Sequence, residues 1–362
     1  MNIAIITFSD FNTNFGSILQ ALALKSFLQS EGHEVTFIKY REFHPTNHQE
    51  SLIGRIRSLL IKFYYFLYRG ESRRRALNFR AFIDCHLHHT RLYTSEEDLE
   101  CNLETFDAYI CGSDQIWNVD CLGGLRTPYF LKFAPANKLK IAYAPSMGDY
   151  HPADEVKIQI GDLLKKFDAI STRENNSSIL LSDILGRDVP TVVDPTLLLN
   201  KEQWMETVGK MEVPKEEYAV CYFVRRHPLA EKIVKYFKHK YKIPIYNVSD
   251  NLIHINGAKN DFITCSPDMF VNLVANAKFC IGASFHLAAF STIFDKHCFV
   301  ITTAHNESRI KGLFGLVERE DHMTNGDFGA LPNLYSSINY KRYNSMVEQS
   351  KDFLRRVLEE LH

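Results

Sequence analysis

No apolar run in this sequence reaches the length of a membrane-spanning helix, which excludes a spanning segment of that kind. Net charge is nearly absent too. Lys and Arg number 42 against 43 Asp and Glu, leaving −1 at neutral pH, so nothing attracts nucleic acid globally and no nucleic-acid partner is expected. No two of the eight cysteines have CxxC spacing, and no cationic leader precedes the first apolar run. The cysteines therefore read as reduced core residues of a cytoplasmic protein. The GxGxxG dinucleotide fingerprint is missing, as are internal repeats, low-complexity tracts and any carboxylate–histidine metal spacing. No metal or cofactor is expected.

What is present is the composition of a globular protein, 45% hydrophobic and 23% charged, in a chain of 362 residues that is long enough for two domains. Aromatic content is high, with 26 Phe and 17 Tyr, which suits sugar binding and thick apolar cores equally. The run NIAIITF at 2–8 has strand length, and a polar loop at 9–16 follows it. A helix is expected from Ser17 and a second strand over Val35–Tyr40. This β–loop–α–β unit opens an α/β domain, and the loop 12–17 lies where doubly wound sheets bind ligands. Asn14 and Ser17 there read as cap residues or as ligand contacts.

Residues 51–90 interrupt the pattern as a helical insertion. The segment 51–80 is apolar with Arg55, Arg57, Lys62 and Arg69 dispersed through it, followed by Arg73, Arg74, Arg75 and Arg80. It can lie on an anionic membrane surface as a peripheral contact at the inner face, or pack on the domain as an ordinary insertion.

Four later apolar runs each end in a polar cluster: 106–111 in Gly112-Ser113-Asp114, 140–144 in Pro145-Ser146, 168–171 in Thr172-Arg173-Glu174 and 189–193 in Asp194-Pro195. Their recurrence suggests one edge of a parallel sheet lined with functional loops. A polar linker is expected over 199–217. A second α/β pattern follows, with strands at 218–224, 243–248 and 279–281 and helices at 229–241 and 268–276. The division expected is an N-terminal Rossmann-like domain over 1–205, a second over 206–340 and a C-terminal helix over 341–362, with Ser345 and Glu348 at capping-box spacing. Two Rossmann-like α/β domains facing a cleft is the architecture implied. Within the second, GASFHLAAFSTIFDKHCFVI at 282–301 places Ser284 and His286 at a strand-to-helix junction, where free N–H groups suit an anion.

Together these clusters resemble the polysaccharide pyruvyl transferase family. The similar stretches are NTNFGSILQALAL at 12–24, ICGSDQIWN at 110–118, FDAISTRE at 167–174, VVDPTLLL at 192–199, GASFHLAAFSTIF at 282–294 and SRIKGLFGLVER at 308–319. The resemblance implies a GT-B-like fold. It also implies transfer of the pyruvate unit of phosphoenolpyruvate to a hexose of a cell-surface polysaccharide or its lipid-linked precursor, forming a ketal and releasing phosphate. Such chemistry needs a proton donor, an anion clamp and a base.

On that resemblance Arg173 is the expected anion clamp and His286 the acid or phosphate contact, with Asp114 a candidate base or turn cap. Ser284, Lys296 and Arg309 join Arg173 and His286 on the donor side. Asn14, Gly16, Ser17, Gly112 and Ser113 would face the acceptor, and Asp194 would order the interdomain loop. The chain departs from the family at Leu287-Ala288, where many members have Gly or Thr. It departs again at Lys296-His297, where many have Lys-Pro, and at Gly16-Ser17, where another branch has Gly-Asp and hence a carboxylate. Two other readings stay open: a GT-B glycosyltransferase using a nucleotide sugar, and a non-catalytic glycan-assembly protein.

Overall fold

Strongly apolar runs of four to six residues alternate with helices along this chain, a pattern that buries strands on both faces in parallel sheets. The structure, a computed structural model, describes residues 1–10, 13–41, 67–303, 306–334 and 338–360. The first sheet contains β1 (Asn2–Ile6), β2 (Glu34–Tyr40), β3 (His89–Tyr93), β4 (Ala108–Gly112), β5 (Leu139–Tyr143) and β6 (Ala169–Ile170). All its strands are parallel in the order 3-2-1-4-5-6, the doubly wound order. The second sheet contains β7 (Ala219–Tyr222), β8 (Ile245–Asn247), β9 (Phe279–Gly282), β10 (His297–Ile301) and β11 (Met323–Thr324). It too is parallel, in the order 11-10-9-7-8.

The first half carries helices α1 (Phe15–Ser30), α2 (Arg69–His86), α3 (Glu96–Asn102), α4 (Val119–Leu122), α5 (Asp154–Leu164) and α6 (Asn175–Leu185). Helix α7 (Lys201–Val208) leads into α8 (Ala230–Tyr241), α9 (Pro267–Asn276), α10 (Phe285–Ile293) and α11 (Glu307–Leu316), and α12 (Lys341–Glu360) closes the chain. Helix α1 is apolar nearly all round and accordingly buried, because it lies between the domains. Phe15, its first residue, stacks on Phe270 of α9 at 4.4 Å and meets the ring of Tyr222 on β7. One apolar core thus runs from the α1 face of the first sheet to the α10 face of the second. The opposite faces have separate cores, one around Trp117 stacked on Phe130 and one around Phe237.

Several expectations need correction. Helix α1 starts at Phe15, two residues before Ser17, because the Asn14 side chain accepts from the Ser17 N–H at 3.1 Å and sets the cap there. Residues 189–193 do not form a strand: Pro190 lacks an N–H, and only Thr191 bridges to Thr172. The expected linker at 199–217 contains α7, started by a reciprocal capping box between Asn200 and Gln203. Ser345 and Glu348 do not cap α12, which starts at Lys341, whose N–H reaches the Asn339 side chain. Five cysteines are buried, but Cys85, Cys101 and Cys121 are exposed. Of the insertion, the segment 51–66 lies outside the described residues.

Candidate active site

In the first sheet the strand order reverses between β1 and β4, and in the second between β7 and β9. The crevice beyond the carboxyl ends of such strands is where doubly wound sheets take ligands. The chain leaves β1 for the cap of α1, β4 for Ser113-Asp114 and β9 for Ser284, the cap residue of α10. Close approach defines the meeting point. The His286 ring lies against Gly16, where an added Cβ would come within 2.0 Å of Nδ1. Gly112 is pressed as tightly on the carbonyl of Tyr143, with φ +153°.

Asp194 is the hub of the charged centre. Its carboxylate accepts from Arg173 Nη1 at 2.6 Å, from Ser113 Oγ at 3.3 Å, and from the N–H and hydroxyl of Thr196. His286 Nε2 stands 3.6 Å from the same Asp194 oxygen that meets Arg173. Burial alone would push this carboxyl up, but His286, Arg173 and Thr196 outweigh it and hold it well below the usual carboxylate range. Glu174 accepts from Arg173 Nε at 3.0 Å and from Ser146 Oγ at 2.6 Å. Burial would lower the Arg173 guanidinium, yet Glu174, Asp194 and Asp114 keep it above its ordinary value. The same guanidinium carbon sits 5.0 Å over the Phe285 ring. Asp114, at φ +64°, accepts from Ser17 Oγ at 2.6 Å and caps its own turn at the Gln115 N–H.

A cavity of about 290 Å³ adjoins this centre. Its wall carries Arg173, Glu174, Asp194 and Arg309 together with Phe285, and apolar side chains extend it to Met346. Burial and the nearby Arg173 pull the Arg309 guanidinium below its ordinary value. Arg309 thus brings a second guanidinium to a cavity where Arg173 is already paired with Asp194 and Glu174. Arg173 Nη2 and His286 Nε2 are both buried without a hydrogen-bond partner, and so is Glu174 Oε2. Buried polar atoms left open are costly, and a ligand that supplies their partners recovers that cost. The arrangement can grip an anion and move a proton beside it.

Of the residues singled out from sequence, Arg173, His286, Asp114, Gly16, Ser17, Gly112 and Ser113 converge here, with Ser284 capping the helix that bears His286 and Arg309 across the cavity. Asn14 is adjacent, its amide donating to Asp250 at 2.8 Å. Lys296 is the exception. It follows α10 at the end opposite Ser284, roughly 13 Å away along nine residues of helix, and lines a separate small recess with His297, Arg319 and His322. Asn14, Ser17 and Ser113 engage protein partners, so they hold the centre together. Sequence reasoning gave Asp194 a loop-ordering role and weighed Glu174 only as the partner of Arg173 in a surface pair, a pair that the structure shows to be buried. The signals were there: Glu174 directly follows Arg173, and Asp194 is an acid before proline at a strand-like end.

The family model described as polysaccharide pyruvyl transferase matches residues 14–305. Among curated proteins none matches this chain. Among solved structures, the chain is similar to UDP-GlcNAc 2-epimerase from Methanocaldococcus jannaschii, at 12% identity and TM-score 0.57, covering 99% of each chain. It is also similar to UDP-N-acetylglucosamine 2-epimerase from Rickettsia bellii, at 14% identity and TM-score 0.53, covering 99% of this chain and 96% of that one. At such identity the likeness shows the fold, a two-domain α/β arrangement of the GT-B kind.

Proposed function

The chain belongs to the polysaccharide pyruvyl transferase family, and from that premise we propose that it moves the pyruvyl unit of phosphoenolpyruvate onto a hexose of a cell-surface polysaccharide or its lipid-linked precursor. The observation that carries the donor assignment is the pair of buried, open nitrogens, Arg173 Nη2 and His286 Nε2, on either side of Asp194 and next to a cavity that also bears Arg309. Phosphoenolpyruvate brings a phosphate and a carboxylate close together. Arg173 and Arg309 would take these two anions.

His286, with Asp194 beside it, would give its proton to the methylene carbon C3. The first sugar hydroxyl then bonds to C2, and the second displaces phosphate there. Of the two hydroxyl protons lost, one replaces the proton spent on C3 and one leaves with phosphate. The base for the hydroxyl is Asp114, whose carboxylate already accepts a proton donor, the Ser17 hydroxyl. No metal or cofactor enters this route. No helix among the described residues is long and apolar enough to cross a membrane. The exposed face of α2, with Leu77 beside Arg73 and Arg74, supports peripheral contact where a lipid-linked acceptor would be met.

The test is incubation with phosphoenolpyruvate and a panel of β-galactosides and N-acetylhexosamines. Phosphate release should depend on acceptor, and product mass should rise by roughly 70 units, one pyruvic acid less one water. His286→Ala should lose turnover while staying folded, and so should Arg173→Lys, which keeps a charge facing Asp194 and Glu174 but loses the fork that grips an anion. A melting temperature raised by UDP-, GDP- or CMP-sugars and not by phosphoenolpyruvate would name the nucleotide-sugar reading instead. Unchanged glycan product in both variants would point to an assembly role.

A further inference from the structure

A second buried charged cluster lies beside the first and joins the domains. Arg75 of α2 donates from Nη2 to Asp250 Oδ1 at 2.6 Å and to the Thr13 carbonyl at 2.9 Å, and from Nη1 to the Ile263 carbonyl at 2.7 Å. The other oxygen of Asp250 accepts from Tyr222 Oη and from Asn14 Nδ2, both at 2.8 Å. Arg75 and Asp250 are each almost fully buried, and the Arg75 guanidinium lies over the rings of Phe15 and Phe79. Arg75, Thr13 and Asn14 come from the first domain; Asp250, Tyr222 and Ile263 come from the second.

Asn14 makes this cluster more than a structural tie. Its amide N–H goes to Asp250, and its carbonyl oxygen caps α1 at Ser17. The two residues after the capping side chain's own neighbour are Gly16, against which the His286 ring rests, and Ser17, whose hydroxyl holds Asp114. A shift of Asp250 therefore moves Asn14, and with it the first turn of α1 and both contacts.

We propose that Arg75 and Asp250 are positioning residues: an interdomain clasp that, through Asn14, sets the first turn of α1 and so the placement of His286 and Asp114. Helix α2, part of what sequence presents as an insertion, is then a working part of the active centre. This inference rests on the pyruvyl-transfer reading for its kinetic consequence, though not for its structural one.

The test separates positioning from stability. Arg75→Met alone orphans a buried carboxylate and should lower the melting temperature sharply, whereas Arg75→Met/Asp250→Leu removes both charges and should recover much of it. The double variant should nonetheless keep kcat about tenfold or more below wild type, with the KM for phosphoenolpyruvate little changed, because the clamp at Arg173 is intact. Asn14→Ser keeps a capping oxygen and removes the donor to Asp250. It should lower kcat with little change in melting temperature, and it serves if the double variant does not fold. Amide hydrogen exchange at Ser17 and Ile18 should quicken in both variants. Wild-type kcat in Asn14→Ser, or unchanged exchange at those amides, would overturn the clasp. Exchange needs no substrate, so it decides the point even if wild type proves inactive toward phosphoenolpyruvate.

Discussion

A Cβ on residue 16 would lie 2.0 Å from Nδ1 and 2.4 Å from Cγ of His286, so only glycine leaves the ring where it is. Gly16→Ala sets two effects against each other. In a helix, alanine is favoured over glycine by about 0.5–1 kcal/mol. The clash, by contrast, is with the body of the ring, and the ring must leave its present position beside Asp194. The clash should dominate catalysis: kcat should fall by about 100-fold with the protein still folded. Steady-state kinetics and a melting curve check this, and wild-type kcat would refute it. At this scale sequence singled out Arg173, His286 and Asp114, and the fold brings all three to the crevice between the domains. It grouped Lys296 with the donor side on closeness along the chain, whereas the length of α10 carries that lysine to the helix's far end. It undervalued Asp194, because an acid before proline also suits a plain turn, and only the fold brings Arg173 and His286 to it.

At the scale of elements, α7 is the instructive case. Its segment is polar enough to read as a linker, yet Trp204 in its middle is fully buried. The indole N–H reaches the Thr196 carbonyl at 2.9 Å, and the ring meets Phe290 of α10 edge-on at 4.9 Å. One tryptophan therefore pins the turn that follows Asp194 to the helix that carries His286. Trp204→Ala should cost about 3–5 kcal/mol, the usual loss for a large buried aromatic. Urea unfolding measures it, and a loss within about 0.5 kcal/mol, as for a surface site, would show the helix to be a mere connector. A single buried residue scarcely alters composition, which is why the helix was not legible. Most of the strands were, because they lie in apolar runs; β3, whose HTRLY is polar and begins inside the expected insertion, and the two-residue β11 were not, and at 189–193 Pro190 was overlooked. The start of α12 was misread since Ser345 and Glu348 have the right spacing but sit inside a helix already begun.

For the whole molecule, two doubly wound sheets could be read from the alternation of runs and helices. What joins them could not. The clasp at Arg75–Asp250 links residues 175 apart in sequence, and Arg355 of α12 returns to Glu31 across 324. Nothing local announces such contacts. The same holds for His297 and His322, 25 residues apart, whose rings stack between β10 and the turn before β11. Burial, then Arg319 and His322, push the His297 imidazole down to about 4. Burial lowers His322 as well, with Asp321 opposing. In the unfolded chain a histidine takes its proton near 6.5. Between about 6.5 and 4 the unfolded state therefore binds more protons, and the stability given by the neutral pair, complete above 6.5, is lost as pH falls toward 4. Asp194 acts elsewhere on the scale: its folded value is depressed, so its contribution holds above the unfolded carboxylate value near 3.8 and fails only below it. Acid weakening in the upper window should thus come from histidines that burial keeps neutral, those of the recess at β10 together with His86 and His89, and not from Asp194. His297 is only half-buried, so its share should be about 1–2 kcal/mol after solvent screening. Urea unfolding from pH 7.5 to 4 should show wild type losing that amount relative to His297→Phe, which keeps a stacked ring and cannot take a proton. Parallel stability curves for the two proteins would place the acid sensitivity elsewhere.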